Sequence, residues 1–221
     1  MEGIEKPSPN FGTRPANNPI DMLVIHYTGM TSANDALSRL CDGASGVSAH
    51  FLIDEDGTLY SLVDERERAW HAGKSLWRGN SNINDRSIGV ELVNPGHEFG
   101  YRIFPDPQMD TLATLAQDLI TRHPIPPRNV VGHSDIAPSR KQDPGELFDW
   151  QKLATVGVGL WPKPATKIEE EVAEILTRYG YDMSSTGAIT AFQRHFRQSY
   201  ITGIADDETT ALATGLLRLI E

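Results

Sequence analysis

The chain has 221 residues and a mass of 24.4 kDa, which is long enough for one main domain and a small appendage. Its formal net charge of -10 argues against nucleic acid as a partner, because phosphate backbones repel an acidic surface. The single cysteine, Cys41, excludes an internal disulfide and a multi-cysteine zinc site, and no apolar run is long enough for an integral membrane segment.

The first 155 residues alternate strand and helix patterns. Residues 1–19 are polar and rich in Pro and Asn, so they are predicted to be an N-terminal extension in which no export signal is visible. Apolar, β-branched stretches predict strands at 22–27, 47–53, 58–63, 88–93 and 129–131. The Asp-Gly step at 56–57 predicts a hairpin between the second and third of these strands. Helices are predicted at 33–40, 106–123 and 146–154, which gives an α/β domain.

The last third of the chain has a different pattern. Spaced glycines and two prolines predict a linker at 156–166. Apolar residues then recur at helical spacing in three stretches of residues 167–221, which we call the tail. The expected fold is therefore a mixed central β-sheet flanked by helices over residues 1–155, followed by a small three-helix domain.

Two histidines each follow an apolar strand, and one aspartate lies in a loop fixed by Pro and Gly. His26 follows Leu23-Val24-Ile25, His133 follows Val130-Val131-Gly132, and Asp143 precedes Pro144-Gly145. Two imidazoles and a carboxylate suit a catalytic Zn²⁺ site, which keeps three protein ligands and one open position. By spacing alone this is one of several ways to combine seven histidines, and surface or core positions remain open for each.

A hydrolytic metal site also needs a base and a cation that stabilises an oxyanion. Glu91 interrupts the apolar strand at 88–93, where a carboxylate is costly unless it faces a polar cleft. Lys141 lies two residues before Asp143. The alternatives are an outward-facing strand residue for Glu91 and a solvated loop residue for Lys141.

Five segments together resemble the zinc N-acetylmuramoyl-L-alanine amidases, a family that also includes phage lysozyme-type amidases and peptidoglycan-recognition proteins. The segments are VIHYTGM at 24–30, VSAHFLIDEDGTLYSLV at 47–63, AWHAG at 69–73, RSIGVELVNPG at 86–96 and VVGHSDIAPSRKQDPG at 130–145. The resemblance covers about residues 20–155. It implies that His26, His133 and Asp143 hold Zn²⁺, that Glu91 activates water and that Lys141 stabilises the oxyanion.

The resemblance also implies a cleft around the zinc that binds the sugar and the stem peptide of peptidoglycan. Six residues are contact candidates on this ground: His50, Trp70, His71, Trp77, Arg78 and Asn94. His50 and His71 have a structural alternative as buried, hydrogen-bonded histidines, Trp70 one as a core residue, and Arg78 one as a solvated residue.

The tail resembles the helical peptidoglycan-binding module of wall hydrolases through YGYDM at 179–183, AFQRHFR at 191–197 and GIADDETTALATGLL at 203–217. The expected activity is hydrolysis of the amide between N-acetylmuramic acid, or its 1,6-anhydro form, and L-alanine, in cell-wall degradation, biogenesis or recycling. The rivals are a non-catalytic peptidoglycan-recognition protein and a zinc peptidase that cuts within the stem. A monomer is favoured. The tail favours the periplasm or envelope, whereas the absent signal leaves the cytoplasm open.

Overall fold

A computed structural model describes residues 3–221, so the first two residues of the predicted N-terminal extension lie outside the described residues. Within this range the chain forms eight strands and eight α-helices. The strands are β1 (Ile4–Glu5), β2 (Phe11–Thr13), β3 (Met22–Tyr27), β4 (Phe51–Ile53), β5 (Leu59–Ser61), β6 (Glu67–Ala69), β7 (Ser87–Leu92) and β8 (Val130–Gly132). The helices are α1 (Ala33–Leu40), α2 (Gly96–Phe99), α3 (Asp106–Arg122), α4 (His133–Ile136), α5 (Trp150–Thr155), α6 (Val172–Tyr179), α7 (Ala188–Phe196) and α8 (Asp207–Leu217).

The central sheet is mixed, as predicted. Its six strands run in the order β1-β5-β4-β7-β3-β8, and all neighbours are parallel except the hairpin pair β4 and β5. Strands β2 and β6 form a separate antiparallel pair. Because β4, β7, β3 and β8 are parallel, their carboxyl ends meet at one edge of the sheet, where ligands of open α/β sheets bind.

Alternation along β3 assigns its side chains to two cores. Leu23 and Ile25 pack with α3 on one face of the sheet. Met22 and Val24 point to the other face and pack with residues of the tail. Since successive strand residues point to opposite faces, His26 continues the second set. The sequence of β3 therefore places this histidine on the face opposite α3, at the carboxyl end of the strand.

The three predicted tail helices are present as α6, α7 and α8, and they pack directly on the sheet domain. Buried apolar side chains from both parts form one continuous cluster. From the tail the cluster includes Ile175, Leu176, Phe192, Phe196 and Leu216, and from the sheet domain it includes Met22, Val24, Trp77, Val131 and Ile136. Within the predicted linker, Val158 is 1% exposed and packs in the core beneath α3. The domain boundary at 156–166 remains a prediction.

Local sequence accounts for several element ends. The Asp-Gly hairpin forms as predicted, with Gly57 at φ +88° and the amide of Asp54 donating to the carbonyl of Thr58. Ser32 caps α1 by accepting from the amide of Asp35 at 3.2 Å. Among residues 3–221, none of the helices combines the length and apolar character needed to cross a bilayer.

Candidate metal centre

The sheet brings the two strand-end histidines together. His26 lies in β3, and His133 follows the neighbouring parallel strand β8 as the first residue of α4. Asp143 comes from the next loop, which is held to α4 because the amide of Ser134 donates to the carbonyl of Asp143 at 2.9 Å. Three residues far apart in the chain thus meet at the carboxyl edge of the sheet.

The three side chains converge through single atoms. Nδ1 of His26 lies 2.9 Å from Nδ1 of His133, and Oδ2 of Asp143 lies 3.0 Å from the first and 3.1 Å from the second. All three residues are at most 5% exposed. We call this set the metal cluster, because its atoms are arranged closely enough to hold one metal ion.

A chain of hydrogen bonds behind His26 determines which of its ring nitrogens carries the proton and which carries a lone pair. The hydroxyl of Ser87 donates to the carbonyl of Ile83 at 2.7 Å, so it accepts from Nε2 of His71 at 3.1 Å. Nδ1 of His71 is then the acceptor for Nε2–H of His26 at 3.0 Å. This leaves the lone pair of His26 Nδ1 directed at the cluster. The tautomer follows from the hydrogen-bond network.

His133 has the same arrangement with a shorter chain. Its Nε2 lies 3.1 Å from the carbonyl of Ala72, to which it donates, so its Nδ1 also carries a lone pair. Two imidazole lone pairs and one carboxylate oxygen therefore face one another with no proton between them. Three acceptors at about 3 Å repel one another unless a cation lies among them, and this donor set fits a divalent metal ion.

The pKa values of His26 and Asp143 also favour the protonation states that bind a metal ion. Desolvation, followed by the charge of His133, lowers the pKa of His26 to about 4. Burial opposes ionisation of Asp143, but the two neighbouring histidines outweigh it and hold the pKa of the carboxyl below its usual value. Neutral imidazoles and an ionised carboxylate are the protonation states that bind metal.

Glu91 lies beside the cluster. It is the register partner of His26 in the parallel pair of β3 and β7, so both side chains emerge on the same face. Its Oε2 is buried and has no hydrogen-bond partner within the described part of the chain. Desolvation and then the negative charge of Asp143 raise the pKa of Glu91 well above its ordinary value, while Lys141 opposes this shift. A buried, unpartnered carboxylate oxygen beside a metal site suits proton transfer.

A cavity of about 170 Å³ opens over these groups. His133 and Asp143 of the metal cluster line it, together with four other predicted site residues: Glu91, Lys141, Trp70 and His71. Sequence reasoning missed eight other lining residues, among them Tyr27, Thr28, Met30 and Arg39. Their position in the chain could have indicated them, since Tyr27, Thr28 and Met30 follow His26 closely. Arg39 lies on the helix that comes next.

The remaining contact candidates lie elsewhere. His50 is fully buried, with Nδ1 accepting from the amide of Gly89 at 3.0 Å. Asn94 is fully buried and bonds the backbone of Gly96 and Arg102. Trp77 is 1% exposed, and its indole donates to Asn129 beneath the tail. The backbone amide of Arg78 donates to the carbonyl of Gly180 in the tail. These four residues do not line the cavity, so we propose no substrate contact for them.

Comparison with known proteins identifies the relatives of this chain. The family model described as N-acetylmuramoyl-L-alanine amidase matches residues 16–146. The N-acetylmuramoyl-L-alanine amidase AmiD of Escherichia coli is 41% identical to this chain, in an alignment that covers 90% of this chain and 82% of AmiD. The 1,6-anhydro-N-acetylmuramyl-L-alanine amidase AmpD of Citrobacter freundii is 36% identical over 69% of this chain and 88% of its own.

Two solved structures of relatives share the fold of this chain, and each holds an anhydromuramyl peptide. AmiD of Escherichia coli in complex with the substrate anhydro-N-acetylmuramic acid-L-Ala-D-γ-Glu-L-Lys has a TM-score of 0.82 and 40% identity over 94% of this chain and 92% of its own. AmpDh3 of Pseudomonas aeruginosa in complex with anhydromuramic pentapeptide has a TM-score of 0.84 and 32% identity over 93% and 95%.

Proposed function

Because the chain belongs to the N-acetylmuramoyl-L-alanine amidase family, we propose that it acts as a zinc hydrolase of peptidoglycan. It cleaves the amide bond between N-acetylmuramic acid, including the 1,6-anhydro form, and L-alanine of the stem peptide. The observation that carries the metal-dependent part of the proposal is the convergence of two imidazole lone pairs and one carboxylate oxygen within about 3 Å. The bound anhydromuramyl peptides of AmiD and AmpDh3 support the substrate class.

Zinc is the metal that best fits these donors. Two imidazoles and one carboxylate are a common protein ligand set for catalytic zinc. His26, His133 and Asp143 would hold the zinc ion, which when bound would supply a polarising charge and lower the pKa of water to about 7. The hydrogen bonds that orient both imidazoles add to ligand basicity, as second-layer partners do in zinc sites.

Glu91 and Lys141 do the remaining work. The Glu91 carboxylate takes the proton from the attacking water, whose oxygen bonds to the amide carbon. The ammonium of Lys141, which lines the same cavity, stabilises the negative charge that develops on the carbonyl oxygen. As the carbon–nitrogen bond breaks, Glu91 returns the proton to the leaving nitrogen, which departs as the amino terminus of L-alanine.

The surroundings of the cavity have room for the rest of a muropeptide. A wider open groove of about 780 Å³ adjoins the cavity and shares Met30 and Arg39 with it. Asp35 and Asp42 also line this groove. We assign the groove to the parts of the substrate that extend away from the scissile amide, with Trp70 and His71 at the cavity itself.

We also propose that the tail binds the wall polymer. The most exposed large apolar side chains on its surface are those of Tyr200, at 62%, and Ile204, at 66%. Attachment of the tail to the polymer raises the local concentration of substrate at the metal centre. Sedimentation with purified wall sacculi tests this role: Tyr200→Ser combined with Ile204→Ser is expected to reduce the bound fraction while leaving hydrolysis of a soluble muropeptide unchanged.

The proposed metal dependence has a direct test. Protein stripped with a chelator is expected to lose hydrolysis of a soluble anhydro-muropeptide and to regain it with one equivalent of Zn²⁺. Turnover by fully stripped protein would contradict the proposal. A non-catalytic recognition protein is not favoured, because the relatives are amidases and Glu91 stands beside a complete ligand set.

A further inference from the structure

A buried carboxylate joins the tail to the helix that begins with His133. Asp135 lies in α4, two residues after His133, and is 1% exposed. Its Oδ2 accepts from the amide of Gly132 at 2.7 Å and pairs with Nδ1 of His195 at 2.7 Å. Its Oδ1 accepts from the hydroxyl of Tyr181 at 2.7 Å. Two of these three partners belong to the tail.

The tail residues in this network are themselves fixed by packing. His195 in α7 is 4% exposed, and its ring stacks on Trp150 with centroids 3.8 Å apart and planes at 17°. Tyr181 is 3% exposed and meets Trp77 edge to face at 5.1 Å. Because both aromatic rings are held by their neighbours, their donors stand in fixed positions relative to α4.

Helix α4 connects this network to two members of the metal cluster. Its first residue is His133, and its second residue, Ser134, donates its amide to the carbonyl of Asp143 at 2.9 Å. A shift of α4 would therefore move a ligand imidazole and the loop of the ligand carboxylate together. The amide of Gly132, held by Asp135, lies immediately before His133.

We propose that the tail is a structural part of the metal centre, in which His195 and Tyr181 position α4 through Asp135. This inference rests on the proposed metal-binding roles of His133 and Asp143. Removal of one tail donor leaves the buried carboxylate of Asp135 with one hydrogen bond fewer, which raises the free energy of the folded protein in a low-dielectric interior. This free energy falls again when the start of α4 moves so that the carboxylate reaches water or other donors. The ligand atoms would then lose the arrangement that binds the ion. His195 and Tyr181 are positioning residues.

The experiment compares matched variants of the full chain. His195→Phe keeps an aromatic ring but removes the donor, and Tyr181→Phe removes only the hydroxyl. His195→Asn keeps a donor near the position of Nδ1. The control is Thr209→Val, which alters a fully buried tail residue that bonds Gln193 and Asp206 within the tail. Zn²⁺ affinity is measured by competition with a chromophoric chelator, and thermal stability and amide exchange of α4 are measured in metal-free protein.

His195→Phe and Tyr181→Phe are expected to weaken Zn²⁺ binding by about tenfold or more and to speed exchange in α4, with a smaller effect for His195→Asn. Thr209→Val should lose stability and keep the Zn²⁺ affinity of the wild type. Unchanged affinity in His195→Phe and Tyr181→Phe would overturn the inference, as would a loss in Thr209→Val equal to theirs. Failure of the wild type to bind Zn²⁺ would instead overturn the proposed metal site, and with it this role of the tail.

Discussion

Nδ1 of His71 accepts a hydrogen bond from Nε2 of His26 at 3.0 Å, and this contact sets the orientation of the first metal ligand. His71 is itself oriented by Ser87, so a serine hydroxyl determines which nitrogen of His26 faces the metal cluster. His71 thus combines a place on the cavity lining with a structural role behind a ligand.

His71→Phe is expected to lower Zn²⁺ affinity by about 10- to 100-fold, because the ring volume is kept while the acceptor for His26 is lost. Competition with a chelator measures the change. His123→Phe serves as the control, since His123 pairs with Glu65 rather than with the metal cluster. Equal Zn²⁺ affinities of the His71 variant and the wild type would show that the contact does not orient the ligand.

Gly89→Ala tests the same relationship from the sheet. Gly89 lies in β7, and a Cβ at this position would overlap the imidazole of His71. The added methyl group is expected to displace His71 and to weaken Zn²⁺ binding and turnover together. Gly43→Ala is the matched control, because its Cβ would meet only Pro9 at an ordinary 3.6 Å. Normal Zn²⁺ affinity in Gly89→Ala would mean that the ring can move without consequence.

Glu91→Gln separates proton transfer from metal binding. The amide keeps the size of the side chain but cannot accept the water proton, so kcat is expected to fall by about 100- to 10,000-fold while Zn²⁺ binding stays close to that of the wild type. Steady-state turnover of a soluble muropeptide and Zn²⁺ titration give the two values. Glu98→Gln, on the surface helix α2, should leave both unchanged. Substantial turnover by the Glu91 variant would remove Glu91 from the mechanism.

Sequence patterns predicted best the elements whose ends are determined by residues close to them in the chain. The alternation in β3 and the caps of α1 lie within a few residues, and the predicted bounds 22–27 and 33–40 match the structure. The predicted strand at 47–53 begins only at Phe51, because the preceding residues bond to Trp70 and Gly89 in an irregular segment. The helix predicted at 146–154 begins at Trp150, where Asp149 caps it.

Contacts between distant residues were beyond such patterns. The family resemblance made Trp77 a contact candidate. In the structure its indole donates to Asn129 and its ring packs under the tail. The acceptor role of His71 depends on Ser87, sixteen residues away along the chain. For the predicted ligands His26 and His133 the strand ends were visible in the sequence, whereas their orienting partners became visible only with the fold.

His50 predicts a pH dependence of stability. Desolvation and then the charge of Arg14 lower its pKa from 6.5 to about 3. Between pH 6.5 and about pH 3, His50 is protonated in the unfolded chain but neutral in the folded chain. The free energy of unfolding therefore falls as pH falls through this range, by up to about 1.4 kcal/mol per pH unit from this group.

In His50→Gln this dependence is absent. The variant is expected to be less stable than the wild type by about 1–3 kcal/mol at pH 7.5, because buried hydrogen bonds are lost. The difference should narrow at pH 5, since only the wild type carries the titrating group. Urea unfolding at both pH values measures it. A difference that stays constant would show that His50 does not resist protonation in the folded state.

Whether the protein cuts one defined amide, as proposed, is decided by mass spectrometry of its products. Zinc-loaded protein incubated with an anhydromuramyl tripeptide is expected to release the free sugar and an intact stem peptide that begins with L-alanine. Fragments cut within the stem would contradict the claim and indicate a peptidase. An unchanged substrate in the presence of stoichiometric zinc would contradict it as well and indicate a recognition protein.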